Sequence, residues 1–180
     1  MAKAIEDPIC RYDVVIIDFP DPSNYGVGKL YTTTFYGRLR AVLGPENIVV
    51  VQSTSPYSAR RAFWCIDATM AETGLSTHAY HVLVPSFGEW GFVLARTVPF
   101  DAPVALRPGA RDKALRYLTG PLLASLFIFP ADMARPGSRL ADGTGLVAGT
   151  GQEGEDGPAI NRLNDQVLVR LYDEEWGRAQ

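Results

Sequence analysis

The stretch YDVVIIDFPDPSNYG, Tyr12 to Gly26, places a run of branched apolar residues directly before two aspartates and two prolines. Its central segment, DVVIID (residues 13–18), has no alternation of polar and apolar residues between its two aspartates. Such an unbroken apolar run is typical of a strand that is buried on both faces, as in a parallel sheet covered by helices. In open α/β sheets, ligands bind beyond the carboxyl ends of the strands, and Asp18 stands at such an end. The stretch therefore predicts a fold class and the sheet edge at which a site would lie.

The patterns that follow this strand predict the order β-α-β-α-β-β. TTTFYGRLRAVLGP predicts a helix capped by Thr32 or Thr33 with Val42 on its apolar face, and NIVVVQS predicts a second buried strand. SPYSARRAFWCIDATMAETG predicts a second helix with Pro56 near its start and Gly74 after its end. THAYHVLVP and WGFVLART predict an antiparallel pair of strands. This α/β order resembles the second half of a Rossmann-like, S-adenosylmethionine-dependent methyltransferase fold with a helical C-terminal extension.

The chain changes character after residue 98, and four segments are expected. The sheet and its helices occupy residues 1–98, and a short helical extension occupies residues 99–133. This extension is expected to hold two short helices divided at Gly120-Pro121. A flexible glycine-rich loop is predicted over residues 134–159, since the segment lacks periodicity. A C-terminal helix is predicted within residues 160–180, beginning near Asn164 or Asp165.

Composition limits the classes of function. The chain has 180 residues, 47% of them hydrophobic, which is enough to bury the core of one domain. The net charge of -3 and the lack of a Lys/Arg block disfavour nucleic-acid binding. Cys10 and Cys65 stand far apart, so neither a disulfide framework nor a zinc site is expected. The longest apolar run, residues 122–129, is well short of the roughly 18 residues of a spanning helix, and a cytoplasmic domain is expected.

Asp18 and Asp21 carry the functional prediction. Pro20 and Pro22 stiffen the backbone around them, so two carboxylates would be held at the rim of a cleft. One could accept a proton while the other holds a cation. Alternatively, Asp18 only ends the strand and Asp21 forms an Asx turn, and the residues alone leave both interpretations open.

Longer motifs resemble the polyamine aminopropyltransferase (spermidine synthase) family. YDVVIIDFPDPSNYGVGKLYTTTFY, VVVQS and VPSFGEWGFVLA stand in the family's order, and the resemblance covers Tyr12 to Arg96. The likeness is greatest to large bacterial members that carry membrane helices before the catalytic domain. It implies the C-terminal half of that domain, because the glycine-rich cofactor turn and the ribose-binding acid of the family's first half are missing from the sequence.

The resemblance implies transfer of an aminopropyl group from decarboxylated S-adenosylmethionine, as co-substrate, to putrescine or a similar amine. No tightly bound cofactor and no metal are expected. Asp18 is expected to act as the catalytic base and also to contact the co-substrate. The residues expected to bind the amine are Asp21, Gln52, Tyr31 and Phe87. Phe87 stands where soluble members often have tyrosine, so a hydroxyl contact to the distal amine is lost.

Further expectations concern partners and alternatives. Without a cofactor-binding half, the chain is expected to be inactive alone, and the parent protein to lie in the cell membrane. The open edge of strand 13–18 predicts a homodimer or a larger homo-oligomer. Two alternatives stay open: a remnant of a related methyltransferase, and a non-catalytic polyamine-binding module.

Overall fold

The computed structural model describes residues 12–111, 115–137, 146–148 and 157–177. The strands are Val14–Ile17 (β1), Ile48–Gln52 (β2), Ser76–Val84 (β3), Gly88–Arg96 (β4), Ile128–Pro130 (β5) and Leu146–Ala148 (β6). The helices are Tyr25–Gly28 (α1), Thr33–Val42 (α2), Arg60–Glu72 (α3), Pro108–Arg111 (α4), Gly120–Ser125 (α5) and Val167–Trp176 (α6), with a 3₁₀ turn at Lys29–Tyr31.

The main sheet has the strand order β1-β2-β4-β3. β1 and β2 are parallel, and β4 runs antiparallel to both β2 and β3. Ile17 pairs with Val51, and Gln52 pairs with Phe92, so the carboxyl ends of β1 and β2 meet at one edge of the sheet. The predicted β-α-β-α-β-β order and the antiparallel pair are confirmed.

β1 departs from the prediction of a strand buried on both faces. Ile17 is 7% exposed, whereas Ile16 is 76% exposed and Val14 is 54% exposed. β1 is the edge strand of the sheet and pairs with β2 only, among the residues that the structure describes. Its apolar run is therefore covered by the described residues on one face, and the other face carries exposed apolar side chains.

The two helices that follow β1 and β2 form where they were predicted, with two corrections. The Thr32 hydroxyl accepts a hydrogen bond from the Phe35 amide and caps α2, but Val42 is exposed and Tyr36 is the buried residue of this helix. α3 begins at Arg60 and not near Pro56, because residues 56–58 form a turn. A hydrogen bond from the Ser58 amide to the Ser55 hydroxyl holds that turn.

α3 forms the centre of the core. Phe63, Ile66 and Met70 are fully buried, and Cys65 is buried among them. The Trp64 indole donates a hydrogen bond to the Met133 carbonyl, which ties the later part of the chain to α3. The helix ends before Gly74, whose φ of +81° is a conformation that glycine adopts without strain.

The chain beyond residue 98 differs in detail from its prediction. The extension contains the short helices α4 and α5, and α5 begins at Gly120 under a Thr119 cap, so Gly120-Pro121 forms the start of the second helix. β5 pairs with β6, which lies within the predicted glycine-rich loop. Much of that loop, residues 138–145 and 149–156, falls outside the described residues, as does Cys10. No helix of the described part is long and apolar enough to cross a membrane.

The C-terminal segment is fastened to the loop that follows β1. The buried Asn161 side chain donates to the carbonyls of Gly28 and Tyr31, each at 3.1 Å, and accepts from the Leu168 amide. Backbone hydrogen bonds between Arg162 and Asp165 close a tight turn, so α6 begins at Val167 and not near Asn164. α6 is thereby placed beside the carboxyl end of β1.

Candidate functional site

Both aspartates of the opening motif line one pocket, of about 640 Å³, at the carboxyl end of β1. The pocket is mostly apolar, and its lining residues are Ile16, Ile17, Asp18, Asp21, Val50, Gln52, Val84, Phe87, Trp90 and Phe92. Gln52 reaches it because β1 and β2 are parallel neighbours whose carboxyl ends meet. The predicted edge of the sheet thus carries a cavity with two carboxylates and one amide in an apolar wall.

Tyr31 supports the loop between the two aspartates from inside the protein. Its hydroxyl donates to the Pro20 carbonyl at 3.0 Å, and its ring packs edge-to-face against Phe19. The side chain is 1% exposed and is not among the pocket-lining residues. The structure therefore does not bring Tyr31 to the pocket surface with Asp18, and its predicted contact with the substrate stays a prediction.

Asp21 occupies a half-buried position with unequal surroundings for its two carboxylate oxygens. Oδ2 accepts a hydrogen bond from the Tyr172 hydroxyl at 3.0 Å. Oδ1 is buried and has no hydrogen-bond partner among the described residues. Burial raises the pKa of Asp21, and the hydroxyl groups of Tyr172, which is hydrogen-bonded to it, and of nearby Thr54 oppose that rise. A carboxylate in this situation gains from any cationic donor that reaches it.

Asp18 has a different environment from Asp21. It follows the last residue of β1, its side chain is exposed, and no described residue hydrogen-bonds to its carboxylate. An exposed carboxylate at the mouth of an apolar pocket is free to accept a proton from a bound ligand. The exposed Asp18 therefore has the environment of a proton acceptor, and the half-buried, hydrogen-bonded Asp21 has that of a fixed anionic anchor.

An aromatic wall closes the side of the pocket formed by β3 and β4. Phe87 lies in the turn between these strands, is 67% exposed, and contacts Trp90 at a ring-centroid distance of 5.4 Å. Trp90 is both buried and pocket-lining, so it serves the core and the site together. Gln52 faces this wall from the end of β2. The structure thus brings Phe87 and Gln52 to the pocket, in the company of both acids.

Glu89 and the histidines lie apart from the pocket. Strand alternation puts Glu89 on the face opposite Trp90, where its carboxylate contacts His81 Nδ1 at 2.9 Å. His81 Nε2 lies 2.9 Å from the Ile128 carbonyl oxygen, and His78 Nε2 lies 2.7 Å from that of Phe100. The two histidines therefore contact separate backbone carbonyl groups. Among the described residues, no cluster of three or more metal-ligating side chains occurs.

The residues that the sequence analysis missed come from α6. Tyr172 reaches Asp21 across 151 positions of sequence, and Trp176 stacks on Tyr172 at 5.6 Å. Trp176 also meets Trp90 edge-to-face at 6.2 Å. The only available signal was that Tyr172 and Trp176 fall on one face of a predicted helix, together with Leu168.

A strained backbone position also borders the site. Thr54, just beyond β2, has a φ of +63°, which residues other than glycine rarely adopt. Its carbonyl accepts a hydrogen bond from the Gly91 amide at 2.7 Å. A Cβ atom at Gly91 would lie 2.8 Å from that carbonyl oxygen and closer still to the Phe63 ring. The glycine therefore permits the close approach that holds the end of β2, and with it Gln52.

Comparison with known proteins identifies the family to which this chain is similar. Residues 1–100 match the spermine/spermidine synthase domain. A polyamine aminopropyltransferase 2 of Ralstonia nicotianae is 42% identical over 167 residues, which are 92% of this chain and 28% of that protein. A polyamine aminopropyltransferase of Leptospira interrogans is 43% identical over 93% of this chain and 28% of its own length. The chain thus spans less than a third of the curated relatives that it matches.

Solved structures show the same fold. A spermidine synthase in complex with the transition-state analogue AdoDATO aligns with a TM-score of 0.54 and 23% identity, covering 67% of this chain and 42% of that one. The spermidine synthase of Thermotoga maritima aligns with a TM-score of 0.53 and 20% identity, covering 67% and 41%. The sheet is therefore part of a Rossmann-like methyltransferase fold, as predicted. The chain belongs to the spermine/spermidine synthase family.

Proposed function

We propose that this chain carries the amine-binding and proton-accepting part of an aminopropyltransferase. The reaction would move an aminopropyl group from decarboxylated S-adenosylmethionine to putrescine or a similar amine. The observation that supports this most is the joint placement of Asp18, Asp21 and Gln52 in one apolar pocket. The names of the relatives point to the same class of substrate.

The pocket suits a diamine on chemical grounds. A primary amine has a pKa near ~10, so at neutral pH putrescine is a dication joined by apolar methylene groups. Asp21 would hold one ammonium group, while Ile17, Val50 and Phe92 would pack against the methylenes. A pocket with carboxylates set in an apolar wall distinguishes such a molecule from an anion or a neutral diol.

Asp18 would then act as the general base. The attacking nitrogen must lose a proton before its lone pair can form the new carbon–nitrogen bond, and Asp18 accepts that proton. The nitrogen attacks the methylene carbon attached to the sulfonium, the carbon–sulfur bond breaks, and its electron pair stays on sulfur as a neutral thioether. Decarboxylated S-adenosylmethionine supplies the leaving group, and the Asp18 carboxylate would also face its aminopropyl end.

Calorimetry with matched ligands tests the proposal. We expect putrescine to bind with a stoichiometry near one, and 1,4-butanediol, which has the same length without charge, not to bind. Asp18→Asn should retain most putrescine binding, because Asp21 stays charged. Equal binding of the diol, or no binding of putrescine to the wild-type chain, would contradict the proposal.

The two alternatives make different predictions. Joined to a cofactor-binding half, a methyltransferase remnant would bind S-adenosylmethionine and show no preference for the decarboxylated form. A non-catalytic polyamine-binding module would bind putrescine and spermidine with no dependence on decarboxylated S-adenosylmethionine. Joined to the same half, the proposed enzyme site should bind putrescine more tightly when 5′-methylthioadenosine, the thioether product, is present, since both occupy adjoining positions in the reaction.

We also propose that the chain self-associates through β1, with a second copy as the occupant of the open edge. β1 pairs with β2 only, among the described residues, and Val14 and Ile16 are exposed beside that edge. Sedimentation at micromolar concentration should give a dimer or larger species, and Ile16→Lys should shift it to monomer. A monomeric wild-type chain would refute this. A cytoplasmic location and membrane helices in the parent protein stay predictions.

A further inference from the structure

α6 brings a tyrosine hydroxyl into the amine site from outside the matched domain. The match to the spermine/spermidine synthase domain ends at residue 100, whereas Tyr172 lies in the C-terminal helix. Its hydroxyl oxygen is 3.0 Å from Asp21 Oδ2. A carboxylate oxygen accepts and a phenol donates, so the hydrogen bond has one direction: Tyr172 is the donor.

Packing holds Tyr172 firmly in this position. The residue is 7% exposed, and its ring stacks on Trp176 with an interplanar angle of 12°. Trp176 in turn contacts Trp90 of the pocket wall. The neighbouring Leu168 and Leu171 are buried in the main core, and Asn161 fastens the start of this segment to Tyr31. A hydroxyl carried on such a support has little freedom, so it can fix the orientation of its partner.

We propose that Tyr172 is a positioning residue for amine binding: it occupies Oδ2 of Asp21 and so leaves Oδ1 as the acceptor for an ammonium group. This rests on the proposed function, in which Asp21 anchors the amine. Oδ1 is buried and has no partner among the described residues, and an unpaired buried carboxylate oxygen is costly. Rotation about the Cβ–Cγ bond of aspartate is soft, so a small rotation that keeps the hydrogen bond from Tyr172 can bring Oδ1 to an arriving cation.

The groups around Asp21 determine how its pKa should respond when the Tyr172 hydroxyl is removed. Among the described residues, Tyr31 from the 3₁₀ turn and Tyr172 from α6 interact with Asp21, and Asp18 and Asp173 interact with these two tyrosines. Burial, with Asp21 as the next cause, raises the pKa values of both tyrosines, so they stay protonated and can donate at neutral pH. Loss of the Tyr172 hydroxyl should therefore raise the pKa of Asp21, because the charged form loses a donor.

The experiment compares Tyr172→Phe with Tyr36→Phe, and follows Asp21 directly. Tyr36 is also buried, its hydroxyl has no partner among the described residues, and it lies outside the pocket, so Tyr36→Phe controls for removing a buried hydroxyl. The carboxyl carbon of Asp21 is titrated by NMR, with its signal assigned from the Asp21→Asn variant. Putrescine affinity is measured by calorimetry from pH 5 to pH 8.

We expect Tyr172→Phe to raise the pKa of Asp21 and to weaken putrescine binding roughly 3- to 10-fold, which is the usual effect of one hydrogen bond. The factor by which Tyr172→Phe weakens putrescine binding relative to wild type should be largest at low pH and should become smaller as the pH rises. Tyr36→Phe should change neither quantity. An unchanged Asp21 pKa in Tyr172→Phe would overturn the inference.

The two measurements also separate this inference from the proposed function. If putrescine fails to bind the wild-type chain, the proposed function fails, while the Asp21 titration still shows whether Tyr172 controls that carboxyl group. If putrescine binds the wild type and Tyr172→Phe equally at every pH, the proposed function stands and the positioning role of Tyr172 is refuted.

Discussion

Asp21→Asn separates the charge of this side chain from its shape. The amide has the size of the carboxylate, and its oxygen can still accept the hydrogen bond from Tyr172. What is lost is the charge that would hold an ammonium group. A hydrogen bond to a charged partner contributes about 1.5–3 kcal/mol, so we expect putrescine to bind roughly 10- to 150-fold more weakly.

The same variant should not lose stability at neutral pH. Burial raises the pKa of Asp21, so the folded state holds this proton more tightly than the unfolded state does. The resulting stabilisation is fully present below the unfolded pKa of about 3.9, and it is lost as the pH rises through the higher folded pKa. The stability of wild type relative to Asp21→Asn should therefore fall between pH 4 and pH 8.

Calorimetry with putrescine at pH 7.5 and urea unfolding across that pH range measure both effects. Asp132→Asn is the matched control, because Asp132 is exposed and lies outside the pocket lining. The control should bind putrescine as wild type does. Wild-type affinity in Asp21→Asn, or an equal loss of affinity in Asp132→Asn, would refute the reasoning.

Three further substitutions test the framework by urea unfolding. Gly91→Ala should cost about 1–3 kcal/mol, since its new methyl group would collide with the Phe63 ring; wild-type stability would refute that close approach. Arg135→Met should cost about 3–5 kcal/mol, because it leaves the buried Asp67 without its ion-pair partner; a change below about 1 kcal/mol would contradict this. Asn161→Ala should cost at least about 2 kcal/mol through lost buried hydrogen bonds, and a neutral effect would count against its role as an anchor.

Sequence reasoning found the features that depend on local pattern. An unbroken apolar run predicted β1, and the cap at Thr32 or Thr33 predicted the start of α2. The position of Asp18 and Asp21 at the sheet edge followed from the rule that strand ends carry ligand sites. Each of these needs only residues close together in the chain.

The features that depend on distant contacts were missed. Ile16 is exposed because no described element covers that face of β1, and the sequence of the strand does not encode which element packs on each face. The residues of β6 lack a strand pattern and fall within the predicted loop, and only pairing with β5 makes them a strand. Tyr172 and Asp21 are hydrogen-bonded but lie 151 positions apart in the sequence, so no local motif indicates the contact.

The most direct test of the central claim is an NMR titration of the wild-type chain with putrescine, following every assigned amide. If the two acids bind the amine in one apolar pocket, the chemical-shift changes should saturate and should be confined to the lining residues Asp18, Asp21, Gln52, Phe87 and Trp90. Shifts that spread over acidic residues across the surface, without saturation, or no shifts at the pocket, would contradict the account.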